Sequence, residues 1–191
     1  MKFSKSILAI IVFALTLGVM PEMSKAQTSI GASYEIRDEE PQNGFGLRLE
    51  REILQKLPIV NLSLRGHFSY FNEDISYQDR TYSTDITNYD YGLAAVGGVS
   101  LGLLSPYVGL GLGASTLDVN RDNLPSGSPL DEENDDSAIY WNGFVGAEVS
   151  PIPMLKPFVE YRFEDVSNYS DELSDIQNSN GRLIFGVSLA F

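Results

Sequence analysis

The sequence predicts an all-β protein, an eight-stranded antiparallel up-and-down transmembrane β-barrel, and three observations carry that expectation. Eight segments alternate apolar and polar side chains with period two, the pattern of a strand with two unlike faces. The connections between them alternate in kind, long and acidic at one end, short and nearly uncharged at the other. A secretory address precedes the first of the eight segments.

That address occupies residues 1–26. Lys2 and Lys5 give a basic start, Ile7 to Val19 is an almost unbroken apolar run, and Ser24-Lys25-Ala26 ahead of Gln27 has the small-x-small form of a signal-peptide cleavage site. The run is shorter than the ~20 residues a spanning helix needs. The expected mature chain is a single barrel domain over residues 27–191.

The strands follow in order. Ile30, Ala32, Tyr34 and Ile36 oppose Ser29, Gly31, Ser33, Glu35 and Arg37; Phe45, Leu47, Leu49 and Ile53 oppose Gly46, Arg48, Glu50 and Glu52, with Arg51 a misfit. Val60, Leu62, Leu64, Phe68 and Tyr70 oppose Asn61, Ser63, Arg65, His67 and Ser69. Tyr89 to Leu101 and Tyr107 to Leu117 continue the pattern, the latter alternating Val108, Leu110 and Leu112 with Gly109, Gly111 and Gly113. Ala138 to Ser150 alternates less cleanly, because Tyr140 and Phe144 share the polar side. Pro157 to Glu164 and Arg182 to Phe191 complete the set. The long connections are expected at Asp38–Asn43, Asn72–Asn88, Asp118–Ser137 and Asp165–Asn180, and the short ones at Leu54–Ile59, Gly102–Pro106 and Pro151–Lys156. Closing such a meander into a barrel leaves no unpaired edge.

Period two does not say which face is inside. A lipocalin-like barrel turns its apolar set inward and a membrane barrel turns it outward. Four features favour the second. Glycines gather among the polar positions, as a narrow lumen crowded by long charged side chains requires. Most segments supply the ~9–11 residues that carry a tilted strand across hydrocarbon. Tyr34, Phe45, Tyr70, Tyr89, Tyr91, Trp141, Tyr161 and Phe163 fall near the strand ends that join the long loops, the level of a bilayer interface. Finally, Arg37, Arg48, Arg65, Arg162 and Arg182 on the polar face balance Glu35, Glu50, Glu52, Glu148 and Glu160, as an internal ion-pair network would.

The signal peptide, the alternating segments, the strands "PYVGLGLG" and "KPFVEYRF" and the ending "GRLIFGVSLAF" together resemble the small eight-stranded outer-membrane barrels of Gram-negative bacteria, of the OmpA-domain, OmpX and opacity-protein kind. The resemblance implies a location in the outer membrane among its lipids. It also implies a C-terminal assembly signal read by the barrel-assembly machinery, here Phe191 with Leu189, Val187 and Phe185 behind it. The chain departs from full-length OmpA proteins by stopping at that strand, so anchoring of the cell wall is not expected.

Composition narrows function further. The 191 residues hold 13 Lys and Arg against 26 Asp and Glu, one His and no Cys, for a net charge of −13. Loss of Lys2, Lys5, Lys25 and Glu22 with the address takes the balance to −15. Disulfides and thiol chemistry are excluded, and nucleic acid is an electrostatically disfavoured partner. No cofactor, metal or catalytic group is expected. Acidic residues concentrate in the long connections, most densely at Asp131, Glu132, Glu133, Asp135 and Asp136, so the outer rim is a candidate surface for divalent cations or cationic ligands, without the spacing of a calcium loop. The expected role is a non-enzymatic, monomeric structural or surface-interaction barrel. A narrow pore and a lipid A-modifying enzyme are the alternatives, the latter resting only on the His67-Phe68-Ser69 tripeptide.

Overall fold

The computed structural model describes residues 28–38, 40–54, 60–76, 83–122, 133–152, 154–166 and 179–191. The expected signal peptide and Asp131 and Glu132 of the acidic run lie outside the described residues. Strands β1 (Thr28–Arg37), β2 (Asn43–Leu54), β3 (Val60–Ser76), β4 (Ser83–Val99), β5 (Leu104–Asp122), β6 (Glu133–Val149), β7 (Leu155–Val166) and β8 (Ser179–Ala190) pair each with its sequence neighbour. β8 pairs with β1, so the sheet is a closed antiparallel barrel. Thr28 and Phe191 seal that seam with reciprocal backbone hydrogen bonds of 3.1 and 2.9 Å. Both ends of the barrel chain therefore lie at the short-turn end. There Leu101 and Leu104 close a two-residue turn whose Gly102 has φ 74°, the left-handed conformation that tight hairpins need at this position.

The apolar set points outward. Leu110, Leu112, Phe45 and Ile139 are each two-thirds exposed, whereas Arg65, Asp90, Asn142, Arg182 and Ser188 are buried. This is the transmembrane arrangement and the reverse of a soluble barrel. Aromatic side chains form the outward belt at the loop-side end. Phe185, Tyr34, Phe45, Tyr70 and Tyr89 occupy directly paired positions across five strands. On the opposite wall Trp141 packs beside Phe163 and its indole N–H donates to Asp165 at 2.9 Å.

The structure corrects the expected strand lengths. β3 to β6 run for 17 to 19 residues, so much of Asn72–Asn88 and Asp118–Ser137 is paired strand rather than loop. Glu133, Asp135 and Asp136 of the acidic run are likewise part of β6. The physical reason is visible in the side chains: polarity inverts as the strands rise past the belt. On β3 the outward series goes from Tyr70 to Asn72 while the inward series goes from Ser69 to Phe71. On β5 the outward residues become Thr116, Asp118 and Asn120 while the inward ones become Leu117 and Val119, both fully buried. β4 does the same between Asn88 and Ile86, and β7 between Glu164 and Val166. Below the inversion a strand is polar inside and apolar outside, as lipid demands. Above it the strand is apolar inside and polar outside, as water demands. A sequence reading that scores alternation by one fixed polarity loses the strand where its faces exchange.

Two outward arginine substitutions on β5 locate this boundary. Leu110→Arg is expected to cost roughly 2–4 kcal/mol and Asn120→Arg about 0–1 kcal/mol, measured as unfolding free energies in lipid vesicles. Equal costs would place the membrane elsewhere.

Candidate functional site

The interior of the barrel holds the charged side chains that the sequence singled out, arranged in three tiers. In the middle tier Glu160 accepts from Arg65 Nη1 at 2.5 Å and Tyr107 OH at 2.9 Å through one oxygen, and from Arg162 Nη2 at 2.7 Å and Nε at 3.1 Å through the other. Arg65 also donates to Glu50 from Nε at 2.7 Å, and Ser63 donates to the second Glu50 oxygen at 2.5 Å. In the loop-side tier Arg182 donates to Glu35 at 3.0 Å and Asp90 at 2.6 Å and pairs with Glu164, while Arg37 pairs with Asp90. Ser115 donates to the other Asp90 oxygen at 2.6 Å, and Ser33 and Ser69 each reach Glu35 at 3.1 Å. In the turn-side tier Arg48 pairs with Glu148, which also lies 3.9 Å from Lys156 Nζ, and Arg48 Nε donates to Ser188 at 2.9 Å.

Each tier rests on the same stack. Glycine stands opposite an aromatic residue in the strand register, the ring lies over the glycine, and a guanidinium lies on the ring. Gly44 faces Phe71, which carries Arg37 at 3.5 Å. Gly109 faces Phe144, which carries Arg65 at 4.9 Å and Arg162 at 5.2 Å. Gly186 faces Phe158, which carries Arg48 at 3.4 Å. Gly146 faces Tyr107, which carries Arg65 at 4.8 Å, and Gly113 faces Tyr140, whose hydroxyl meets His67 instead of a guanidinium. A methyl group on any of these five glycines would run into the ring opposite. The expected reason for inward glycines, room for charged side chains, fits Gly31 beside Arg48 and Gly46 beside Glu35. At the five glycines of the stacks the neighbour is an aromatic ring, whereas Gly92 meets His67 and Gly111 meets Asn142. Carboxylate on one side and π-face on the other engage each guanidinium both as an ion and as a plane, while Arg37 Nε and Nη1, Arg162 Nη1 and Arg182 Nε are buried without a hydrogen-bond partner among the described residues.

Most of the expected lumen residues thus meet. Glu52 is half-buried and lines a cavity at the turn end with Glu50, Glu148 and Lys156. Asp90 and Glu164, central to the loop-side tier, escape the sequence reading. Asp90 stands at inward parity between Tyr89 and Tyr91, and Glu164 ends the segment Pro157 to Glu164 at the parity of Glu160 and Arg162, so the signal for both was present. The ring-over-glycine contacts were beyond reach, because they appear only when the register is known. His67 Nε2 and Tyr140 OH are 2.8 Å apart, and Ser69 bonds Glu35, so His67 and Ser69 are both buried and each is engaged with another residue. Phe185, Val187, Leu189 and Phe191 all face outward on the seam strand. Among the described residues, no cluster of three or more His, Cys, Asp or Glu side chains is arranged to hold a metal ion.

Removing a glycine of the stack tests it directly. Gly109→Ala is expected to destabilise by about 1–3 kcal/mol by displacing Phe144. Gly97→Ala, where the added methyl meets nothing within 4 Å, is expected to be neutral or slightly stabilising. Chemical unfolding of the two variants compares them.

Residues 7–191 match the family model for the outer membrane protein beta-barrel domain. Among solved structures the chain is similar to Neisserial surface protein A of Neisseria, at 17% identity and TM-score 0.57, covering 87% of this chain and 97% of that one. It is similar to Ail, the attachment invasion locus protein of Yersinia pestis, at 16% identity and TM-score 0.56 with the same coverage; another structure of Ail is a complex with the heparin analogue sucrose octasulfate. A major outer membrane protein of Thermus thermophilus gives 14% identity and TM-score 0.62, covering 87% of this chain and 100% of that one. At such identities the likeness shows the fold. No curated protein sequence matches the chain.

Proposed function

Because the chain belongs to the outer membrane β-barrel family and resides in the outer membrane, we propose that it is a non-enzymatic, monomeric surface-interaction protein. In this reading it presents an acidic platform to cationic partners. The observation that carries the proposal is the extension of β3 to β6 past the aromatic belt. Its outward face bears Asp74 directly opposite Asp85 and Asp118 directly opposite Asp135. Like charges in register repel and weaken a sheet. A surface that keeps them favours basic peptides or cation-bridged anionic surfaces as partners, by charge complementarity. Ail is an attachment invasion locus protein, and that likeness supports a surface role here. The sulfated ligand of that protein is a poor guide to this one, whose net charge is −13.

The lumen supports the same reading. A narrow eight-stranded interior holds side chains and little else, and here Arg65, Arg162 and Arg182 lie across it in ion pairs. A buried pair that loses one partner strands a charge, so such pairs hold rather than open. The His67–Tyr140 contact and the inward burial of Ser69 favour a structural role for both residues over acyl-chain chemistry at the lipid surface. Phe191 and the outward residues behind it are the proposed signal for the barrel-assembly machinery.

The test uses the full-length barrel in lipid vesicles, with an oligolysine peptide and heparin as probes. Oligolysine is expected to bind in a salt-sensitive manner, and binding is expected to weaken when Asp74, Asp85, Asp118 and Asp135 are replaced by Asn. Heparin is expected not to bind. Trimming of this end is expected to be tolerated only within residues 123–132, because the flanking residues of Asp118–Ser137 are paired in β5 and β6. Steady large conductance in planar bilayers would move the assignment to a pore. Lipid A acyl loss dependent on His67 and Ser69 would move it to an enzyme.

A further inference from the structure

We infer that the barrel carries an apolar stopper at its outer mouth, so that its lumen is a blind vestibule open to water only at the turn end. The stopper lies above the polarity inversion. Ile86 of β4, Leu117 and Val119 of β5, Ala138 and Tyr140 of β6 and Val166 of β7 form one buried cluster across four adjacent strands. Leu117 and Val119 have no exposed surface at all.

The polar lumen begins immediately beneath. Ser115, one inward position below Leu117, is 2% exposed and bonds Asp90, and Asn88 donates to Ser115 at 2.8 Å. Tyr140 joins the two layers, packed in the cluster by its ring and held to His67 by its hydroxyl at 2.8 Å. Asn88 and Asp136 stand opposite Leu117 in the register, but along the cluster itself water or an ion would give up hydrogen bonds to apolar side chains that return none, which is how hydrophobic constrictions exclude both. An ion-pair lattice alone lacks that property, because guanidinium and carboxylate groups hydrate readily.

The opposite mouth is built differently. At the turn end an indentation of about 350 Å³ is lined by Glu50, Glu52, Ser63, Ser105, Glu148 and Lys156 among others. It reaches the turn-side and middle tiers from the side of the chain termini, the periplasmic side of an outer-membrane barrel. The ion pairs therefore shape the lumen, and the stopper makes it leak-proof from outside. This holds whichever partner the acidic platform takes.

The absence of cysteine makes thiol reporters clean. Single substitutions Ser137→Cys on the outward face of β6, Ser115→Cys below the stopper and Ser105→Cys at the turn end are exposed to a small, membrane-impermeant, cationic methanethiosulfonate in intact cells and again after disruption. The expected result is labelling of S137C in both, of S105C only after disruption, and of S115C at background rate in intact cells. Adding Leu117→Ser with Val119→Ser, or Val119→Ser alone where the double change impairs assembly, is expected to make S115C reactive from outside. Faster migration of unboiled than boiled protein on gels verifies that each variant is folded. Reaction of S115C from outside with the stopper intact would overturn the inference, as would an unreactive S115C in a folded barrel whose stopper has been opened.

Discussion

Everything inside this barrel depends on keeping guanidinium groups charged within a bilayer. A narrow lumen removes most of the water that would otherwise solvate them, and a stranded charge there costs several kcal/mol. Arg37, Arg48, Arg65, Arg162 and Arg182 are buried together with Glu35, Asp90, Glu160 and Glu164. Two oxygens of Glu160 alone accept four donors. Once these pairs are fixed, the rings that flatten against them must find space, and only glycine in the facing strand provides it. The inward Gly109 of β5 is therefore a consequence of the arginines, passed through Phe144. Register follows as well: a shift of one residue would turn every arginine to lipid and every leucine to the lumen.

The second constraint is the change of solvent along a strand. β3 to β6 cross hydrocarbon and continue into water, and each reverses the polarity of its faces at the aromatic belt. Tyr70 and Tyr89 pack 5.3 Å apart at that level, and the next outward residues are Asn72 and Thr87, with the Asn72 amide donating to Thr87 at 3.0 Å. The upper part of the sheet has the pattern of a soluble protein and the lower part that of a membrane protein. One continuous set of backbone hydrogen bonds serves both, since the ladder is indifferent to which face is wet.

How much was legible in the sequence follows from the same two constraints. The number of strands and the sorting of residues onto two faces come from period-two alternation, while the outward turn of the apolar face, and with it the inward parity of the arginines, comes from the glycines, the strand lengths, the aromatic belt and the balanced charges; the structure places them accordingly. The ends of β3 to β6 were not legible, because Leu117, Val119 and Ile86 break the alternation at the point where inside and outside exchange chemistry. The partners of Arg182 were half legible: Glu35 stood at the right parity, while Asp90 was hidden between two outward tyrosines and Glu164 stood at the very end of its segment, beside the acidic connection. The pairing of Gly109 with Phe144 needs a register between two strands, which composition and periodicity do not contain.

The account stands on the buried charge lattice and its stacks, and Glu160→Gln tests that most directly. Urea unfolding of the variant in lipid vesicles is predicted to show a folded barrel weakened by about 3–5 kcal/mol, while Asp74→Asn on the exposed outer face changes stability by no more than about 0.5 kcal/mol. A Glu160→Gln barrel as stable as the parent would contradict the claim that paired charges and the rings they press on organise the fold.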